Sequence, residues 1–258
     1  MPVRRFIPFV AIGLILMVAC TQASGTRTSL QVPTSPSATP SDHPSPVASP
    51  STASSPSALP ARFRGTVSVI PPDLAAEMRG STWRKGCPVA LRDIRLLTLR
   101  YWGFDGHMHE GRMVVNARVA HDVVDVFRKI FRARFAIKEI HLAVPYRGPE
   151  DDDPNDRRDY TVGFNCRPVL TPRGPIARWS QHAFGLAIDI NPIENPYVGA
   201  DGFVKNNHAR RYRDRSLRRP GMIRAGDVVV RSFAAIGWEW GGYWNSGKDY
   251  MHFSWSGN

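Results

Sequence analysis

The sequence predicts one α+β domain with helices packed on one side of a mainly antiparallel sheet. Residues 94–101 (IRLLTLRY) are rich in apolar and aromatic side chains, and the Asp-Gly pair that follows is typical of a β-hairpin. A helix capped by Asn116 comes next, because apolar residues recur at three- and four-residue steps from Val119 to Phe131. Residues 136–144 (AIKEIHLAV) then have the composition of a strand, and this order of elements indicates an α+β arrangement.

The chain begins with a predicted secretory signal peptide, residues 1–19. A short basic start precedes an apolar run at 6–19 that is too short to span a bilayer comfortably. Residues 17–20 (MVAC) resemble the bacterial lipobox, although Met17 stands where leucine is usual. We therefore expect an extracytoplasmic protein whose Cys20 carries the lipid that anchors it to the bacterial cell membrane. The alternative is ordinary signal cleavage nearby and secretion to the cell wall.

A disordered tether is predicted at residues 20–62, which consist mostly of Ser, Pro, Thr and Ala. Such a segment cannot bury enough apolar surface to offset its chain entropy. The single folded domain is predicted at 63–258. Near its start lies a short apolar run at 67–70, and after it we expect a short helix that Asp73 caps and that runs to Met78. Late in the chain, a further helix is predicted from about Asp227 to Ile236.

The formal net charge of +12 favours polyanionic surroundings such as nucleic acid, an anionic membrane face or a cell-wall polymer. Because the chain carries an export signal, we expect no nucleic-acid partner. The basic run at 209–220 is then a solvated loop or a contact with an anionic wall polymer. We expect a monomer.

Two cysteines remain if Cys20 is lipidated, and they lie in a compartment where disulfides persist. We predict that Cys87 and Cys166 pair. Closing a loop of about eighty residues in this way stabilises a fold by roughly 4 kcal/mol in the chain-entropy model. The alternative is two buried thiols.

The candidate site lies in residues 179–192 (WSQHAFGLAIDINP) and 249–253 (DYMHF). The first stretch places His182 and Asp189 seven residues apart, and the second contributes His252. Neutral imidazole and carboxylate are good zinc ligands, and a catalytic zinc needs three protein ligands plus an open position. These three residues are the candidate ligands.

Asp249 lies three residues before His252 and is the candidate general base. Intervals of seven or three place side chains on opposite faces of a regular strand, so the backbone must bend within each pair. Gly185 provides such a bend. From spacing alone, an alternative stays open in which Asp189 pairs with a structural arginine and both histidines are ordinary polar residues.

The segment SQHAFGLAID resembles the SxHxxGxAxD signature of the M15 family of zinc D-Ala-D-Ala carboxypeptidases and L-Ala-D-Glu endopeptidases. WGGYWNSGKDYMHF is similar to the closing WGGxW and DxxHF segments of that family, in its VanY-like branch or its subfamily C. FNCRP at 164–168 is similar to the arginine-bearing segment of the family. The resemblance covers about residues 94–255 and implies a hedgehog/D-Ala-D-Ala-peptidase-like single catalytic domain.

The resemblance implies one zinc ion per chain, held by His182, Asp189 and His252. It implies that Asp249 is the general base, where several relatives use glutamate. Arg167 matches the family arginine that holds the substrate and stabilises the oxyanion.

Ser180 matches the motif serine, for which we expect a hydrogen bond to the substrate or to the site residues. Trp240 is assigned to the substrate site. It is one of four tryptophans in residues 238–255 that line a groove or fill the core.

The implied function is an exported zinc peptidase that acts on peptidoglycan stem peptides. A D-alanyl-D-alanine carboxypeptidase is the leading interpretation, and an L-alanyl-D-glutamate endopeptidase with the same metal centre is the alternative. An interpretation from another class is a wall-binding lipoprotein without catalysis.

Overall fold

The computed structural model describes residues 61–147, 153–171 and 174–257. These residues belong to one compact unit, 58–258. The signal peptide, the lipidation site Cys20 and nearly all of the predicted tether lie outside the described residues, so they stay predictions. Among the described helices, none has the length and apolar character needed to cross a bilayer.

The predicted hairpin is confirmed as part of a three-stranded antiparallel sheet. It consists of β2 (Ile94–Trp102) and β3 (Met108–Asn116), and β1 (Gly65–Val69) pairs with the other side of β2. The turn is closed by Gly103 N–H, which donates to the His107 carbonyl over 2.8 Å. Asp105 Oδ1 accepts from His107 N–H over 3.0 Å, so the Asp-Gly pair forms the turn that its sequence favours.

Residues of β2 alternate between two apolar cores. Leu97, Leu99 and Tyr101 face the main core, whereas Ile94 and Leu96 face a second, smaller core. The main core also contains the buried sides of two helices, and the second core contains apolar side chains from a third. The central sheet is therefore covered on both faces, as its two-sided burial requires.

Helix α1 (Pro72–Met78) covers the second core. It starts two residues earlier than a cap at Asp73 predicts, with Pro71 at the N-cap, and Asp73 lies in its first turn without capping it. The prediction of an Asp73 cap was wrong, because Pro72 suits the first helical position, where no backbone N–H is needed.

Helix α2 (Ala120–Arg132) covers the main core together with α3 (Val228–Ala234). The predicted Asn116 cap is confirmed: its Oδ1 accepts from Arg118 N–H over 3.1 Å at a short 3₁₀ turn that leads into α2. Asp227 caps α3 by accepting from Val230 N–H over 3.0 Å. The predicted helices are thus found, with their apolar sides buried.

The strand predicted at 136–144 was wrong in length. Only β4 (Glu139–Ile140) forms, and it pairs in parallel with β5 (Tyr160–Thr161). The side chain of Asn191 takes the place of a ladder: its Oδ1 accepts from Lys138 N–H over 2.9 Å, and its Nδ2 donates to the Ala136 carbonyl over 2.9 Å. A side chain from a distant segment has satisfied backbone groups that a longer strand would use.

The other strands are short. They are β6 (Pro168–Thr171), β7 (Gly174–Trp179), β8 (Ala187–Asp189), β9 (Tyr197–Val198), β10 (Glu239–Trp240), β11 (Lys248–Asp249) and β12 (His252–Ser254). Strands β10, β12 and β8 form a second three-stranded sheet in that order, while β6 pairs with β7 and β11 with β9. The α+β class is confirmed, with the strands of the described part divided among five small, mostly antiparallel sheets.

Candidate active site

A tight turn places His182. The Ser180 hydroxyl accepts from His182 N–H over 3.3 Å, a 3₁₀ turn spans Gln181–Phe184, and Gly185 ends it with a φ of 66°. A Cβ at Gly185 would lie 2.6 Å from the backbone nitrogen of Asn116 at the end of β3. The bend predicted at this glycine is confirmed, and both its positive φ and the close backbone approach require a residue without a side chain.

Strand pairing places the other two candidate ligands. His252 on β12 lies opposite Asp189 on β8, with His252 Nδ1 3.0 Å from Asp189 Oδ1. The second carboxylate oxygen, Oδ2, lies 3.1 Å from His182 Nε2. The three ligand atoms fall within 4.8 Å of one another, so this group could hold a metal ion. Both imidazoles are buried, with His182 1% and His252 6% exposed.

The hydrogen bonds of His182 indicate which of its nitrogens is free for a metal. Its Nδ1 lies 2.7 Å from the Gly163 carbonyl, which can only accept, so Nδ1 carries the proton. Burial lowers the pKa of His182 and favours the neutral ring. Its unprotonated Nε2 then faces Asp189 Oδ2. Both atoms are hydrogen-bond acceptors, and no proton lies between them. A cation resolves that conflict, and a carbonyl that orients the other ring nitrogen is typical of metal-binding histidines.

Asp189 and the two imidazoles shift one another's pKa values. Burial would raise the pKa of Asp189, but the two imidazoles hold it well below its usual range. Burial would lower the pKa of His252, but its hydrogen bond to Asp189 and the negative charges of Asp189 and Asp249 raise it overall. A buried carboxylate between two imidazoles is therefore kept ionised, as a metal ligand must be.

Asp249 lies beside this group on β11, which pairs with β9 rather than with the strand that carries His252. The chain turns between the two residues, as the interval of three requires. Burial raises the pKa of Asp249 to about 7, with the charge of Asp189 contributing, against the opposing effects of His252 and Arg167. Its Oδ1 is buried without a hydrogen-bond partner among the described residues.

Arg167 is attached to the turn that carries His182. Ser180 N–H donates to the Arg167 carbonyl over 3.1 Å, and Asn165 N–H donates to the His182 carbonyl over 3.1 Å. Burial lowers the pKa of Arg167, while the carboxylates of Asp189 and Asp249 oppose that effect. Arg167 therefore lies close enough to Asp189 and Asp249 for the charges of both carboxylates to act on it.

Ser180 and Trp240 have contacts within the protein. The Ser180 hydroxyl caps the His182 turn, as described above. Trp240 is 4% exposed, its Nε1 donates to the Tyr250 carbonyl over 2.8 Å, and its ring stacks on Phe253. Trp240 thus supports the segment that carries the site residues, and the substrate roles assigned to both stay predictions.

Unsatisfied polar atoms concentrate at this site. Eight buried side-chain nitrogens or oxygens lack a hydrogen-bond partner in the described residues, and four belong to His182, His252, Asp249 and Trp244. The Trp244 ring lies 5.5 Å from that of His252. Buried polar atoms normally have a partner, so we expect an ion, a water or a substrate to contact these four. The sequence placed Trp244 only among the four tryptophans that line a groove or fill the core, although it is the second tryptophan of the quoted WGGxW segment.

Residues 174–255 match a family model described as D-alanyl-D-alanine carboxypeptidase, Peptidase_M15_4. The match supports the M15 family of peptidases. It contains the three candidate metal ligands and Asp249, whereas Arg167 lies upstream of it. At the family level this supports a peptidoglycan peptidase, a hydrolase. Comparison with curated proteins and with solved structures gave no match.

Proposed function

We propose that this protein is a zinc-dependent peptidase that hydrolyses peptidoglycan stem peptides, acting as a D-alanyl-D-alanine carboxypeptidase. The observation that carries the proposal is the convergence of His182, Asp189 and His252 in a buried group that could hold a metal ion. All three lie in the segment that matches the carboxypeptidase family model. The chemistry of these three residues and the description of the family therefore both support a peptidase.

The donor set supports zinc as the metal. Two imidazole nitrogens and one carboxylate oxygen are the ligand types of catalytic zinc sites, which keep a further position open. The partnerless Nε2 of His182 opposite Asp189 supports a cation at this point. When bound, zinc would act as a Lewis acid on the scissile carbonyl and lower the pKa of a water toward neutrality.

The protein residues supply proton transfer and charge stabilisation. Asp249 accepts the proton of the attacking water at its carboxylate and then delivers it to the leaving amine. A pKa near 7 suits both transfers at neutral pH. Arg167 directs its guanidinium toward the negative charge that develops on the carbonyl oxygen. His182 and His252 stay neutral metal ligands throughout.

A muropeptide digest tests this proposal. Full-length protein loaded with zinc is incubated with purified muropeptides, and the products are identified by mass spectrometry. Loss of a single alanine from pentapeptide stems is the expected result. Release of a longer stem fragment would identify an L-alanyl-D-glutamate endopeptidase instead. If the protein bound muropeptides but did not cleave them, the result would indicate a wall-binding protein without catalysis.

The proposed location follows from the N-terminus alone. The apolar run after two arginines and the MVAC tetrapeptide support export and a lipid anchor at Cys20, with the Ser/Pro-rich tether between membrane and domain. A lipid-anchored enzyme would accumulate as an unprocessed precursor in cells treated with globomycin. Processing that globomycin leaves unchanged would point to ordinary signal cleavage.

A further inference from the structure

We infer that the disulfide between Cys87 and Cys166 positions Arg167 for the reaction, so that full activity requires this bond to form. The inference rests on the proposed function, because it concerns the arginine that stabilises the oxyanion. Cys166 directly precedes Arg167, and the bond joins it to a cysteine 79 residues upstream. Both cysteines act through Arg167 and are positioning residues.

The contacts of Arg167 show why its backbone needs support. Within the described residues its side chain makes no ion pair, and its one hydrogen bond, from Nη1 to the Pro168 carbonyl, measures 3.4 Å. The carboxylates of Asp189 and Asp249 attract it without contacting it. Because the buried guanidinium has so few direct partners, its position depends mainly on the position of the Arg167 backbone.

One side of that backbone is attached to the metal site. Two hydrogen bonds between main-chain groups link residues 165 and 167 to residues 180 and 182, as described above. These bonds set the distance between Arg167 and the His182 turn. Both bonds are made by residues 165 and 167. Residue 166, which lies between them, makes its contacts elsewhere.

The other side is fixed by the disulfide and its surroundings. Cys166 is completely buried in the second core, and its N–H donates to the Thr82 carbonyl over 2.9 Å. Cys87 closes a tight turn in which its N–H donates to the Arg84 carbonyl over 3.0 Å. The Arg84 N–H in turn donates to the Cys87 sulfur over 3.2 Å. The segment that carries Arg167 is thus held between the second core and the metal site.

Loss of the disulfide should move Arg167 more than the metal ligands. Asp189 and His252 are paired on β8 and β12, and His182 is held by its own turn and by Gly163. None of these supports includes a cysteine. We therefore expect unchanged zinc binding but a lower kcat, because a small displacement of a charge-stabilising group is costly to the transition state.

A double-mutant cycle with Arg167 tests the inference in the full-length, zinc-loaded protein. Wild type, Cys87→Ser, Arg167→Ala and the combined variant are compared on one stem peptide, with kcat, KM, zinc content and Tm measured for each. Cys87→Ser should reduce kcat about tenfold in the wild-type background and less than about twofold when Arg167 is already absent. KM and zinc content should change little.

Equal losses in the two backgrounds would overturn the inference, because the disulfide would then act on general stability. Wild-type protein that fails to hydrolyse stem peptides would overturn the proposed function instead. If Cys87→Ser folds poorly, wild-type protein is reduced and allowed to reoxidise: kcat should return in step with the disulfide while zinc content stays constant. Activity that is the same before and after reoxidation would also overturn the inference.

Discussion

His252 and Asp189 are direct register partners on the antiparallel strands β12 and β8, which brings two residues 63 positions apart to within 3.0 Å. The neighbouring pair, Phe253 opposite Ile188, is completely buried. Because a slip of one residue would move every side chain to the opposite face, burial of this apolar pair also fixes the polar one. The main core therefore sets the geometry of the candidate metal site.

Replacing Asp189 by Asn should abolish zinc binding, because a neutral amide bridges the two imidazoles without the charge that a divalent cation needs. Zinc content after dialysis, measured by atomic emission, should fall from one equivalent to near zero. Chelation should lower the Tm of wild type and leave that of the variant unchanged, since a ligand stabilises only a fold that binds it.

The matched control is His109→Ala. His109 is an exposed histidine near the start of β3 that contacts Asp105 over 3.0 Å and lies outside the candidate ligand group. This variant should retain its zinc. A stoichiometric metal in the Asp189 variant would show that the group is not the binding site.

Replacing Asp249 by Asn should lower kcat by about 10²- to 10⁴-fold while zinc content stays at one equivalent, because the amide cannot accept a proton. The comparison is Asp122→Asn, an exposed carboxylate on α2, which should keep full activity. Steady-state kinetics on one stem peptide measures kcat for both variants and for wild type. If the loss of activity in Asp249→Asn were accompanied by loss of zinc, Asp249 would be supporting the metal rather than transferring protons.

Gly185→Ala should destabilise the protein more than Gly226→Ala. Both glycines have positive φ, 66° and 72°, so each substitution costs about 1–2 kcal/mol of backbone strain. Only at Gly185 does the new Cβ meet backbone, 2.6 Å from Asn116 N, whereas the space around Gly226 is open. Urea unfolding should show the difference, and zinc affinity should fall only for Gly185→Ala. Equal effects would mean that β3 moves away freely.

The sequence predicted those parts of the fold that local pattern determines. Helix α2 follows from periodicity, the Asn116 cap of the 3₁₀ turn before it follows from the residue type, and the β2–β3 hairpin follows from an Asp-Gly turn between apolar runs. The candidate metal ligands were found because they lie in two short motifs, and the bend at Gly185 because the spacing of His182 and Asp189 demanded one. Each of these features is encoded within a few residues.

Features that depend on distant side chains could not be predicted in this way. In the stretch predicted as a strand at 136–144, the Asn191 side chain binds the backbone of Ala136 and Lys138. Arg215 lies in a basic run expected to be solvated, yet it donates to the Glu194 and Ile223 carbonyls over 2.8 and 2.6 Å. It also stacks over Tyr250 at 4.2 Å. Nothing local distinguishes Arg215 from the neighbouring arginines, because its partners come from other segments.

Glu194→Gln should flatten the pH dependence of stability. Burial, with the neighbouring Asp159 carboxyl, raises the pKa of Glu194 from 4.5 to about 8. The folded state therefore favours the protonated form, and the stability it confers is complete below pH 4.5 and is lost as pH rises through about 8. Glutamine resembles the neutral carboxyl at every pH, so the variant should lose less stability across that window. Urea unfolding at several pH values measures this, with the exposed Glu77→Gln as control, which should follow the wild-type curve. Parallel curves for wild type and Glu194→Gln would show that Glu194 ionises in the folded protein without cost.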